Sequence, residues 1–91
     1  MTAPASIIDI LHMAPTIIID RHDYEQRDNY HYESDKLIEF DSYAVECNIE
    51  VVDGNIYVDN ITFYDGEDKI PLTPEDEAAV ASRVKGQISI Q

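Results

Sequence analysis

Basic residues are scarce in this chain. Six Lys and Arg stand among 91 residues: Arg21, Arg27, Lys36, Lys69, Arg83 and Lys85. So few cannot form a basic stripe, which argues against direct binding to nucleic acid. Cysteine is scarcer still. Cys47 is the only one, so no intrachain disulfide can form, which fits a reducing compartment. His12, His22 and His31 stand at no fixed spacing to Cys47, and no Cys pair or His-x₃-His run marks a metal site. There is no glycine-rich phosphate loop, so a nucleotide site has no sequence support. No apolar run approaches the roughly 18 residues a membrane span needs. The start, MTAPASIIDILHMAPTIIID, has no basic n-region and is interrupted by Asp9 and His12, so it does not read as a signal peptide. The expectation is a cytoplasmic protein with no membrane contact.

Acids are abundant. Nineteen Asp and Glu give a formal charge of −13. Such a surface repels nucleic acid and anionic membranes and attracts basic protein surfaces, although the same charge also serves solubility. A chain of this length is one domain, 1–91, and buries roughly 60–65% of its unfolded surface. That allows one modest core and no deep cleft between domains. The apolar share of 44% suits a folded chain.

The chain is organised around Tyr43 to Tyr64. Two alternating runs flank Asp53-Gly54, the turn chemistry of a two-residue β-hairpin, where both central residues need positive φ. That turn sets Val52 opposite Asn55, Val51 opposite Ile56, Ile49 opposite Val58, Cys47 opposite Asn60 and Val45 opposite Thr62. One face then carries Val45, Cys47, Ile49, Val51, Ile56 and Val58, with Tyr43 and Tyr64 at its far end. The other carries Glu46, Asn48, Glu50 and Asp59, with Ala44, Tyr57, Ile61 and Phe63. A slip of one residue would exchange the faces, so pattern and turn support each other. Cys47 lies on the apolar face and reads as a small buried hydrophobe.

Around this hairpin the other segments fall into place. Residues 1–5 read as loose. Ser6 could cap a short helix, Ile7 to Met13, with a strand as the alternative; Pro15 ends either. Thr16 to Ile19 is a β-branched strand, apolar on both faces and expected to be covered on both. Residues 20–35, DRHDYEQRDNYHYESD, contain no aliphatic residue, glycine or proline. They read either as a polar, partner-binding loop or as an edge strand bearing Tyr30 and Tyr32. Lys36 to Phe40 is a strand, and Asp41-Ser42 a turn or bulge. Asp65-Gly66 repeats the turn chemistry before a short strand, Lys69 to Leu72, which Pro71 assigns to an edge. Thr73 is an N-cap, Pro74 sits at N1, and Glu75, Asp76 and Glu77 fill the first turn of a helix over 74–85. Val80, Val84 and Ile88 step by four toward the sheet, and Gly86 ends the helix. Gln87 to Gln91 either adds a strand or trails off. The expected fold class is α+β: a small antiparallel sheet built on the central hairpin (43–64), with a C-terminal helix (74–85) packed on one face.

Asp20, His22, Asp23, His31 and Glu33 are ligand-type side chains without a metal-binding spacing, and no carboxylate pair is marked out for acid–base work. The expectation is a binding protein, not an enzyme, with no cofactor and no metal. Its partner surface would be acidic. Alternate residues on one strand face lie about 6.6–6.8 Å apart. Glu46 and Glu50, with Asp59 across from Asn48, would form a patch. Asp65, Glu67 and Asp68 would extend it along a turn, Glu75, Asp76 and Glu77 would add a second edge, and Tyr30 and Tyr32 would add contact area. Duplex DNA carries about one charge per 1.7 Å, so rows of carboxylates can compete for the basic groove of a nucleic-acid-binding protein.

The order of hairpin, turn, Ile70-Pro71-Leu72 and Thr73-Pro74-Glu75-Asp76-Glu77 resembles many small phage proteins over about half the chain, Ile49 to Val84. Inhibitors of host defence such as anti-CRISPR proteins are prominent among small acidic phage proteins. The resemblance implies a non-catalytic inhibitor that occupies a basic protein surface in the host cell cytoplasm; it assigns no functional residue. The alternative is an assembly protein that pairs with a second copy through its sheet edge or through Tyr57, Ile61 and Phe63.

Overall fold

The computed structural model describes the backbone of residues 4–91. Of the stretch expected to be loose, residues 1–3 lie outside the described residues. Pro4 and Ala5 already belong to α1 (Pro4–Leu11). Ser6 therefore lies inside this helix and does not cap it. Proline suits the first helical turn, where its missing N–H has no partner to lose. Ile7 and Leu11, one helical repeat apart, are both buried. Three bonds to the third residue back, from the amides of His12, Met13 and Ala14, tighten the helix end ahead of Pro15.

A four-stranded antiparallel sheet forms the body, in the order β2 (Tyr30–Phe40), β3 (Tyr43–Val52), β4 (Asn55–Asp65) and β5 (Asp68–Ile70). The hairpin over 43–64 is β3 and β4, and its turn is as expected. Asp53 and Gly54 both have positive φ, 49° and 84°. Near the turn the register also matches: Val52 pairs with Asn55, Val51 with Ile56 and Ile49 with Val58.

Farther along it does not. Glu46 pairs with Thr62 and Val45 with Phe63, because two residues of β4, Asn60 and Ile61, oppose Cys47. Asn60 has a φ of 55°, the left-handed conformation that Asn tolerates best after Gly. One extra residue in a strand reverses the facing of everything beyond it. Phe63 therefore enters the core, where it is 2% exposed, and Ile61 packs against that core. Tyr64 moves to the other face with its partner Ala44. The apolar trio Tyr57, Ile61 and Phe63 does not exist as a surface; only Tyr57 is exposed.

Residues 20–35 form no long loop. Asp20 caps α2 (Arg21–Gln26), its carboxylate accepting from the His22 amide at 2.9 Å. The anchor missing from an aliphatic count is Tyr24. Its ring is buried, and its hydroxyl accepts from the Gly54 amide at 2.8 Å, tying α2 to the hairpin turn. Asp28 and Asn29, with φ of 59° and 58°, reverse the chain into β2. This edge strand joins both segments read separately, Tyr30–Tyr32 and Lys36–Phe40, through a bulge between Glu33 and Lys36. Asp35 adopts φ 54° there, and Asn48 Oδ1 accepts from its amide at 2.9 Å.

The C-terminal helix, α3 (Pro74–Gln87), opens with the Thr73 cap. Thr73 Oγ1 accepts from the Asp76 amide, and Asp76 accepts in return from the Thr73 amide. Val80 and Val84 are buried, as is Ile88. The helix does not stop before Gly86 but runs to Gln87, whose amide nitrogen donates to the carbonyls of Leu11 and Ala14 at the end of α1. The last residues form β6 (Ile88–Ile90), which pairs in parallel with β1 (Ile17–Ile19) as a second, two-stranded sheet. β1 is covered on one side only: Ile17 and Ile19 are buried, whereas Ile18 is 62% exposed. Pro71 falls just past β5, which is the other edge strand. The architecture is α+β, with helices and the β1–β6 pair joined in one core with the inward side of the main sheet. No helix among the described residues is long and apolar enough to cross a membrane.

Candidate protein-binding face

Alternation along β3 separates the two sides of the sheet. Val45, Cys47, Ile49 and Val51 are each 0% exposed. Cross-strand partners share a face, so the register also assigns the outward side. From β2 it takes Tyr30, Tyr32, Leu37 and Glu39; from β3, Glu46, Asn48 and Glu50; from β4, Tyr57, Asp59 and Tyr64. Tyr32, Leu37 and Tyr57 are each about half exposed, so no element among the described residues covers this side.

Five of the residues singled out from sequence meet here: Tyr30, Tyr32, Glu46, Glu50 and Asp59. The Tyr30 hydroxyl donates to Glu50 Oε2 at 2.9 Å. That bond to a carboxylate, aided by partial burial and by the nearby charge of Glu50, raises the Tyr30 phenol above its ordinary pKa. The Tyr64 hydroxyl approaches Glu46 Oε1 at 3.5 Å, a weak contact. Among the described residues the ion pairs are Arg21–Glu25, His31–Glu33 and Lys36–Glu33, so Glu39, Glu46, Glu50 and Asp59 have no cation partner. The one basic residue on this side is Lys69, opposite Tyr64 at the far edge.

The remaining acids do not extend the patch as expected. Asp65 and Asp68 pair with each other in line with Tyr43, whose ring packs between Phe40 and Phe63. Those two aspartates therefore lie on the inward side at the end of the sheet, and Glu67 sits in the exposed turn between them. Glu75, Asp76 and Glu77 occupy the first turn of α3, where Asp76 serves the cap. Leu37, Glu39 and Tyr64 are the members that sequence reasoning missed. Extending the two-residue turn at Asp41-Ser42 would have placed the first two; Tyr64 is hidden by the Asn60 bulge.

A second cluster lies on the inward side. His31, Glu33 and Lys36 project from β2 past the edge of the core and, with Asp20, Asp23 and Arg27, line a cleft of about 310 Å³. His31 Nε2 donates to Glu33 Oε2 at 2.8 Å, and Lys36 Nζ lies 3.5 Å from Glu33 Oε1. Burial pushes the Glu33 carboxyl up, but the His31 bond and Lys36 outweigh it and hold the pKa below the ordinary value. Two cations inside the cleft oppose a bound metal ion. No group of three or more His, Cys, Asp or Glu among the described residues could hold one. Burial, with Asp59, Glu33 and Glu46 nearby, pushes the Cys47 thiol up to about 11, so it is held as a thiol and not as a nucleophile. Against families, curated proteins and solved structures alike, the chain has no match.

Proposed function

We propose that this chain is a binding protein without catalysis, and that it inhibits a nucleic-acid-binding protein by occupying its basic surface. One observation carries this reading. An uncovered sheet face presents four carboxylates without cation partners beside exposed tyrosines, while five of the six basic residues lie elsewhere. Carboxylates held on a rigid sheet resemble a phosphate row in sign, and their field draws basic surfaces from a distance. Tyrosine adds contact area at little cost in side-chain freedom. In this proposal the target is a nucleic-acid-binding complex of host defence, and the chain acts in the host cytoplasm as anti-CRISPR proteins do.

The test is capture from a bacterial lysate at low salt, followed by titration of each captured protein bound to labelled duplex DNA. The expected result is retention of a nucleic-acid-binding protein whose DNA is then displaced. Both steps should weaken as salt rises, because exposed charges are screened. Retention of no such protein overturns the proposal.

A further inference from the structure

We infer that the outward sheet face selects arginine over lysine side chains, with the cross-strand row Tyr32–Glu50–Tyr57 as its centre; this deepens the binding role proposed above and rests on it. Tyr32 pairs with Glu50, and Glu50 pairs with Tyr57. The three side chains therefore rise side by side from one face, with a phenol ring about one strand spacing, roughly 4.8 Å, to each side of the carboxylate. Both rings are open to solvent, Tyr32 at 49% and Tyr57 at 53%. Glu50 is oriented by a single bond, from the Tyr30 hydroxyl to Oε2, and its Oε1 takes no hydrogen bond from the described residues.

That arrangement matches a guanidinium in two respects. Its N–H edge meets a carboxylate in the fixed planar geometry that arginine favours. Its flat face lies against an aromatic ring, which attracts cations. A lysine ammonium is a compact, strongly hydrated charge without a face to stack. It can reach Glu50 but gains little from a ring on either side. Leu37, 49% exposed and paired with Glu46 two rows along the same face, offers an apolar bed for the three-carbon stem of a second arginine.

Charge also decides against the other occupant. A second copy laid on this face would set Glu39, Glu46, Glu50 and Asp59 against the same four residues, and like charges brought together repel. An exposed tyrosine surface without these acids would not discriminate; with them, the complementary partner is cationic.

The experiment titrates the intact chain at low salt with two fluorescent peptides, one alternating arginine and serine, the other alternating lysine and serine. The arginine peptide is expected to bind about fivefold or more tightly, the contribution of stacked cation–π contacts. The double variant Tyr32→Leu, Tyr57→Leu keeps apolar bulk but removes both rings, and should bring the two affinities together while salt-dependent binding persists. Glu50→Gln should weaken both peptides. Unchanged far-UV circular dichroism and melting temperature show that each variant is folded; Tyr57→Leu alone serves if the double variant is not. Equal affinities for the wild-type chain, or a preference that survives loss of the rings, overturn the inference and leave the broader binding role standing. Binding of neither peptide overturns both. Sedimentation as a dimer that Tyr57→Leu dissolves would give the face to a second copy and overturn the inference.

Discussion

The two sides of β3 differ in everything except the strand that carries them. On the inward side four successive side chains are fully buried, and among the described residues no polar or charged residue belongs to the buried set. On the outward side Glu46 and Glu50 alternate with Asn48, and no cation answers them. An unpaired carboxylate carried into an apolar core is so costly that it would be protonated or expelled, so packing decides the inward residues. Outward, solvation removes that constraint, and charge can accumulate for solubility or for a partner. Some acids elsewhere have a simpler cause. Asp28, Asp35, Asp41 and Asp53 all hold positive φ, a conformation that Asp and Asn reach more readily than other side chains. Their acidity comes with the turn chemistry. Glu39, Glu46, Glu50 and Asp59 sit in regular strand and owe nothing to backbone conformation, so they are the acids a partner would explain.

Three perturbations would break or sharpen this contrast. Phe63→Ala should have the largest effect. The bulge at Asn60 turns Phe63 into the core opposite Val45. Losing a buried Phe costs about 3–5 kcal/mol, a large share of the roughly 5–15 kcal/mol that holds a domain together. Urea denaturation should find the variant unfolded or close to it; a native midpoint would mean that the bulge does not bring Phe63 into the core. Next, Ile49→Ala on the inward side should cost about 2–5 kcal/mol, while Glu46→Gln, three residues away on the outward side, should stay within about 0.5 kcal/mol. Equal losses by chemical denaturation would show that the outward side is covered after all.

The smallest effect concerns Glu33 at the inward rim. Its pKa is lower in the folded chain than the ordinary 4.5, so its ion pairs stabilise the fold above that pH and stop doing so as pH falls through the lower, folded value. Melting temperatures followed downward from pH 6 should therefore fall less steeply for Glu33→Gln than for the wild type, and the variant should start from a lower melting temperature. Parallel curves would remove Glu33 from the acid response.

Much of this contrast was legible before any coordinates. The Asp53-Gly54 turn and the Val45–Val51 alternation place Glu46, Glu50 and Asp59 on one side because a pleated strand has a period of two. The Thr73-Pro74 start marks α3 because its cap is local chemistry. Other features were not legible. Nothing in Asp-Asn-Ile announces that Asn60 will be an extra residue, since Asn is equally at home in a regular position. Tyr24 was not distinguishable from its polar neighbours until the hairpin turn supplied a partner for its hydroxyl.

By itself, then, the sequence determined what depends on neighbours along the chain: turn type, cap, strand period and the excess of negative charge. Only the tertiary structure decided where β2 and β4 bulge, which way Phe63 and Tyr64 face, and that the three residues of β6 pair with β1 some seventy positions away. The physical reason is range. A turn or a cap is settled by bonds within a few residues, whereas a bulge or a parallel pairing is chosen by whichever alternative best fills a core shared by distant segments.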